Sequence, residues 1–328
     1  MPSRTIALIV VASVSTHPAA SQSVGGLRAI QHPLDSLPVA HRYSLPTSPD
    51  WMATGFGSVW VINYQPSALY RIDPNTDTVL ASIPLGDDAC LGIVVSPASI
   101  WVPSCQTGEL NEIDPSTDRV RNRYPVGIGP DREGAFAYAA GSLWLSSNRP
   151  DTTRSVILRI DPATGRTVAR ITVRATSDVV VAGFGSVWAA SSATDSVFRL
   201  DPGHNAIIAR IGVGPSPKFM AADRSALWIQ NRRDGTVSRI DPATNREVSR
   251  IDTEAPTEWG DIAAGADAVW LSVNGKPVTR IDPSTNHVTH QYIGGEGADA
   301  IRVGFGSLWV ADHRHGEVWR IPVERLAR

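Results

Sequence analysis

Charge of one sign is missing from this chain: 30 Lys and Arg stand against 32 Asp and Glu, a formal net charge of -2. Without a basic field there is nothing to hold a polyanion, so nucleic acid is not an expected partner. Long apolar runs are missing too. A bilayer-spanning helix needs about 20 consecutive apolar residues, and the stretch from Ile6 to Val14 is too short, with nothing longer after it. No transmembrane segment is therefore expected. Only two cysteines occur, and there is no Cys-x-x-Cys, no Gly-x-Ser-x-Gly elbow and no phosphate loop. The usual signatures of dithiol, serine-hydrolase and nucleotide chemistry are thus absent. Long uninterrupted helices are excluded by 24 prolines spread along 328 residues.

What is present supports a large core: 42% of the residues are apolar and ten are Trp. Residues 1–23 read as a secretory signal, with Arg4 at a positive start, Ile6 to Val14 apolar and Pro18-Ala19-Ala20 at a small-residue cleavage region. This predicts a periplasmic or secreted protein. Residues 24–36, poor in groups that can be buried, are expected to form a flexible lead-in. Residues 37–328 are then one domain.

That domain is a repeat. A Gly-x-Gly-Ser-Val-Trp-Val type segment recurs with its Trp at 60, 101, 144, 188, 228, 270 and 309, and Ile-Asp-Pro or Leu-Asp-Pro follows each of the first six. Within one unit, 217–222, 226–229, 236–240 and 247–251 read as short strands separated by turn signals such as Asp234-Gly235 and Asp241-Pro242. Four short strands per repeat of about 40 to 45 residues are the pattern of a β-propeller blade. The expected fold is all-β, a seven-bladed β-propeller of four-stranded blades, with the seven recurrent Trp as core between neighbouring blades. The last unit ends too early to own an outer strand. Val39 to Leu45 has the outer-strand pattern, and is expected to complete the last blade and close the ring.

A hairpin centred between Pro97 and Ala98 sets Cys90 opposite Cys105. In an exported chain that pair is expected to form a disulfide.

The run Gly-Phe-Gly-Ser-Val-Trp followed by Arg-Ile-Asp-Pro-x-Thr resembles the YVTN-type propellers and, more closely, those related to virginiamycin B (streptogramin) lyase. The resemblance covers about residues 40–322 and rests on turn and core positions. It implies elimination that opens a lactone, using a His, a metal-binding Glu and Mg²⁺. The His of that family begins an innermost strand, where this chain has Pro217-Lys218-Phe219 and Asp299-Ala300-Ile301. The Trp-Phe-Thr-Glu stretch is matched by Trp228-Ile229-Gln230-Asn231 and Trp309-Val310-Ala311-Asp312. No innermost strand starts with His, so the lyase activity is not carried over.

Propeller ligands sit over the central channel, where inner strands begin and second strands end. Counting ten back and three past each Trp places Asp50, Asp178, Lys218 and Asp299 there, with Asn63, Asn231 and Asp312. The hairpin count sets Asp299 against Asp312, Asp50 against Asn63, and Lys218 against Asn231. Trp51 and Trp259 lie near the same strand starts and could stack on a ligand. Facing carboxylates and amides can hold Ca²⁺ or Mg²⁺, and His313 beside Asp312 and Asp299 adds a further metal-ligand type. His287 and His290, three apart on an outer strand, point to opposite faces.

Two functions compete. One is a non-catalytic scaffold, expected as a monomer, that binds a small molecule or a protein at the channel mouth. The other is a metal-dependent lyase or lactonase with its cation over the channel. Docking motifs of quinone-dependent dehydrogenase propellers are not evident.

Overall fold

The structure, a computed structural model, describes residues 24–86, 89–90, 92–128, 134–148, 154–173, 179–255 and 259–326. The expected secretory signal lies outside these residues. Seven antiparallel sheets form a ring, with blades spanning 49–84, 94–125, 137–173, 179–212, 217–252, 261–293 and 298–322. In the fifth blade the strands are Pro217–Ala222, Leu227–Asn231, Thr236–Asp241 and Arg246–Asp252, as the alternation of that unit predicts. Each inner strand starts at the channel mouth, so antiparallel order puts the first and third turns of every blade on the opposite face.

The ring closes as expected. His41–Ser44 pairs with the third strand of the seventh blade, His41 opposite Arg320 and Ser44 opposite Glu317. Tyr43 anchors this closure: its hydroxyl donates to Asp77 of the first blade at 2.6 Å, and its ring stacks on Trp309. Burial, and then the Asp77 carboxylate, push the Tyr43 hydroxyl well above its usual range.

The lead-in differs from expectation. Gln31–Pro33 forms a strand parallel to His287–Ile293, a fifth strand on the sixth blade, and Leu27 is buried in the core. Gln31 donates to Gln291 at 2.8 Å and His32 stacks on His290. The polar composition of 24–36 hid this, because an edge strand needs backbone partners more than apolar side chains. His290 is accordingly on a covered strand rather than an outermost one.

All seven repeat Trp are fully buried, and each indole N–H bonds five residues upstream. In six blades an Arg on the third strand lies over that Trp. Five of these reach into the next blade. Arg199, for example, donates to the Pro242 carbonyl at 2.6 Å and to Asn245 at 2.7 Å. Arg71, Arg159, Arg239 and Arg320 do the same toward Asp118, Asn205, Asn286 and Asp77. Each receiver has a φ between 52° and 58°, the left-handed region that Asp and Asn tolerate best among non-glycine residues.

Two junctions lack the relay. In the second blade Glu112 replaces the Arg, and in the third blade Gly165 replaces the Asx receiver. A Cβ on Gly165 would fall 2.1 Å from Tyr124, whose ring occupies that space. In the sixth blade Arg280 bonds Thr289 of its own blade, because the seventh ends in Ile321-Pro322 without the Asp-Pro turn.

Cys90 and Cys105 form the expected disulfide, with Cα atoms 5.8 Å apart. The inner strand of that blade is only Val94–Val95, so Cys90 lies beyond it, beside an isolated bridge between Ala89 and Ser104. With that bridge and the Cys90 N–H bond to the Pro103 carbonyl at 3.0 Å, the disulfide holds the approach to the second blade against its second strand.

Candidate functional site at the channel mouth

The inner strands of the first, fifth and seventh blades begin alike. A residue in the left-handed region (Ser48, Ser216, Gly297) precedes Pro49, Pro217 and Ala298, which pair with Asn63, Asn231 and Asp312. A bulge follows in each, so that Asp50 and Trp51 oppose Ile62, Lys218 and Phe219 oppose Gln230, and Asp299 and Ala300 oppose Ala311. The expected facing pairs are thus each displaced by one residue: Asp299 does not face Asp312, Asp50 does not face Asn63, and Lys218 does not face Asn231. A constant hairpin sum cannot see an extra residue in one strand.

The displaced partners are turned into the blades. Asn63 is fully buried and its amide donates to the Pro66 carbonyl; Asn231 is fully buried and donates to Thr236 and Ser238. Asp312 is buried, and its carboxylate bonds the His315 ring at 2.8 Å rather than His313. Lys218 is buried too, its ammonium 5.9 Å from the Phe219 ring. Asp178 lies outside the described residues.

Four of the expected residues, His313 included, do share one space. Asp50, Trp259 and Asp299 line a cavity of about 610 Å³ at the mouth, together with His313, Tyr64, Glu296 and Arg314. Trp259 is 54% exposed. His313 meets Tyr64 edge to face, its Nδ1 buried and without a hydrogen-bond partner. Arg314 pairs with Glu296, leaving the lining with more carboxylate than cation. Glu296 stands in Gly294-Gly295-Glu296-Gly297, a polar residue in a glycine-rich turn before an inner strand; that was the available signal for it. Tyr64, four past its Trp, carried none. Among the described residues no group of three or more His, Cys, Asp or Glu converges as a metal site would. Asp299, Asp312 and His313 therefore do not come together as the cation-binding trio expected.

Trp51, expected to stack on a ligand, is buried instead. It meets Phe219 across the channel edge to face, ring centroids 5.3 Å apart, and the Arg302 guanidinium lies over the Trp51 ring, 5.7 Å from its centroid. This contact between the first and fifth blades stands between the mouth and the lower channel. Beneath it Arg302 forms an ion pair with Asp261, whose carboxylate also takes the Ile262 and Ile301 amides. Burial pushes the Asp261 carboxyl above its ordinary range, against the pull of Arg302. Neither residue was found in the sequence, because they come from different blades and have no motif of their own.

No protein-family model and no curated protein matches the chain. Solved structures do. A streptogramin B lyase superposes with a TM-score of 0.68 at 15% identity, covering 85% of this chain and 96% of that one. The virginiamycin B lyase of Staphylococcus aureus superposes with a TM-score of 0.69 at 14% identity, covering 85% and 97%. At that identity the likeness concerns the fold, and in fold this chain is a seven-bladed β-propeller similar to those lyases.

Proposed function

We propose that the chain is an exported binding propeller that holds a small organic molecule in the mouth cavity. The observation that carries this reading is the cavity of about 610 Å³, lined by exposed Trp259 and half-buried Tyr64 together with Asp50, Glu296 and Asp299. Its size falls within the roughly 300–1,000 Å³ of small-molecule sites. Concavity favours a small molecule over a protein partner, and the disulfide agrees with an oxidising compartment. A compound that raises the melting temperature should lose its effect in Trp259→Ala and in Asp299→Asn. Shifts that survive both substitutions would place binding elsewhere and sink the reading.

A second reading, a metal-dependent lyase or lactonase, is favoured by one observation: His313, with its unpartnered Nδ1, lines the same cavity as Asp299. The purified protein would then contain near one equivalent of Ca²⁺ or Mg²⁺ and melt lower with chelator. Absence of metal by elemental analysis, with a melt indifferent to chelator and to added cations, leaves the binding reading alone.

A further inference from the structure

On the far side of the Trp51–Phe219 contact, the inner strands line a second, partly open cavity of about 250 Å³. Most of the side chains that line it are apolar, among them Ile93, Phe136, Val181, Met220 and Ile262. Among the described residues, the charged side chains that line it are Asp261 and Arg302.

Counting bonds at that pair shows what chemistry it leaves over. The Asp261 carboxylate accepts from the Ile262 amide at 2.8 Å, from the Ile301 amide at 3.2 Å, and from Arg302. Arg302 uses Nη1 for that bond and for the Ile301 carbonyl at 2.6 Å. A guanidinium carries five N–H donors, so the surplus lies at Nε and Nη2, and what is left unsatisfied at this pair is donor, not acceptor. A ligand must therefore bring an acceptor. It should not bring a charge, because Asp261 already neutralises Arg302 and would repel a second anion across a low-dielectric space. An apolar cavity of about 150 Å³ takes up benzene, so this larger one has room for a ring and one polar substituent.

We propose that the lower chamber binds a small uncharged carbonyl compound of the size of an aromatic ketone, its oxygen accepting from Arg302 and its apolar body filling the channel. This site is separate from the mouth and does not depend on the ligand proposed there.

The test is a titration of the purified chain with acetophenone, read by ligand-detected NMR. Ethylbenzene, which lacks the acceptor, and benzoate, which carries a charge, are the matched probes. Saturable binding of acetophenone is expected, about tenfold tighter than either. Val181→Phe, which fills the chamber, should abolish it, while Trp259→Ala at the mouth should leave it unchanged. Arg302→Met should remove the preference over ethylbenzene. Because that change strands Asp261, the double variant Arg302→Met with Asp261→Asn is measured beside it and carries the same expectation. Absence of saturable binding, tighter binding of benzoate, or binding that survives Val181→Phe would overturn the proposal.

Discussion

The two faces of the ring are built on opposite rules. On the turn face, blades repeat one another: a buried Trp, an Arg over it, and an Asp or Asn in the next blade that receives the Arg. At the mouth the blades contribute different sets: Asp50 and Asp299 share a repeat position, but Tyr64, Trp259 and His313 each occur once. The difference follows from geometry. Junctions between blades pose the same packing problem and five of the seven use the same Arg relay, whereas the mouth is one space shared by all blades, and a ligand meets it from one orientation. Repetition therefore marks what holds this ring together, and departure from repetition marks where it can recognise something. The two irregular junctions refine the point. Loss of the Arg in the second blade coincides with Gly165 in the third, so donor and receiver have changed together.

The largest test of that contrast is removal of residues 37–46, which strips the outer strand from the seventh blade and Tyr43 from Asp77. Cooperative melting should be lost or shifted far downward; an unchanged melt would contradict the closure. Next comes the core position. Trp188→Ala should cost about 3–5 kcal/mol of stability, measured by denaturant unfolding, while Trp259→Ala at the mouth should stay within about 0.5 kcal/mol. Equal losses would erase the distinction between the faces.

A finer comparison sets one junction against another. Arg199→Ala removes two bonds to the next blade and should cost roughly 1–3 kcal/mol, whereas Arg280→Ala removes only a bond within its own blade and should cost less. The smallest effect is in pH. Hydrogen bonds from Thr244 at Asp241 and from Ser284 at Asp282, with backbone amides second, hold these turn carboxyls below the ordinary range. Their stabilisation is present above the unfolded value, near pH 3.9, and is lost as pH falls through the lowered one. Asp261 runs the other way: its raised folded value means stability is lost as pH rises from the unfolded value through the folded one. Replacing Asp241 and Asp282 by Asn should flatten the acid limb of the melting curve, and Asp261→Asn should not.

Much of the fold was legible because its devices are local. Trp188, the Asp241-Pro242 turn and the alternation of 236–240 are each read within a few residues, and their spacing supplied the number of blades. The site was less legible. Asp50 and Asp299 were found by counting from the repeat Trp and Trp259 by its place near a strand start, but the same count misplaced Asn63, Asn231 and Asp312, because bulges in three inner strands shifted the register by one. Glu296 had a signal in its glycine-rich turn that counting passed over. Gln31–Pro33 had none, since its strand depends on a partner more than 250 residues away.

By itself the sequence determined the blade count, the buried Trp layer, the closure by His41–Ser44 and the pairing of Cys90 with Cys105, since each depends on short-range pattern or on a simple count between patterns. Only the tertiary structure decided that Trp51 meets Phe219 across the channel, that Asp261 pairs with Arg302, and that the channel holds a carboxylate-bearing mouth and a lower chamber lined mostly by apolar side chains. Those contacts join residues from different blades. A repeating sequence specifies each blade and its neighbour; what meets at the axis is specified by the ring as a whole.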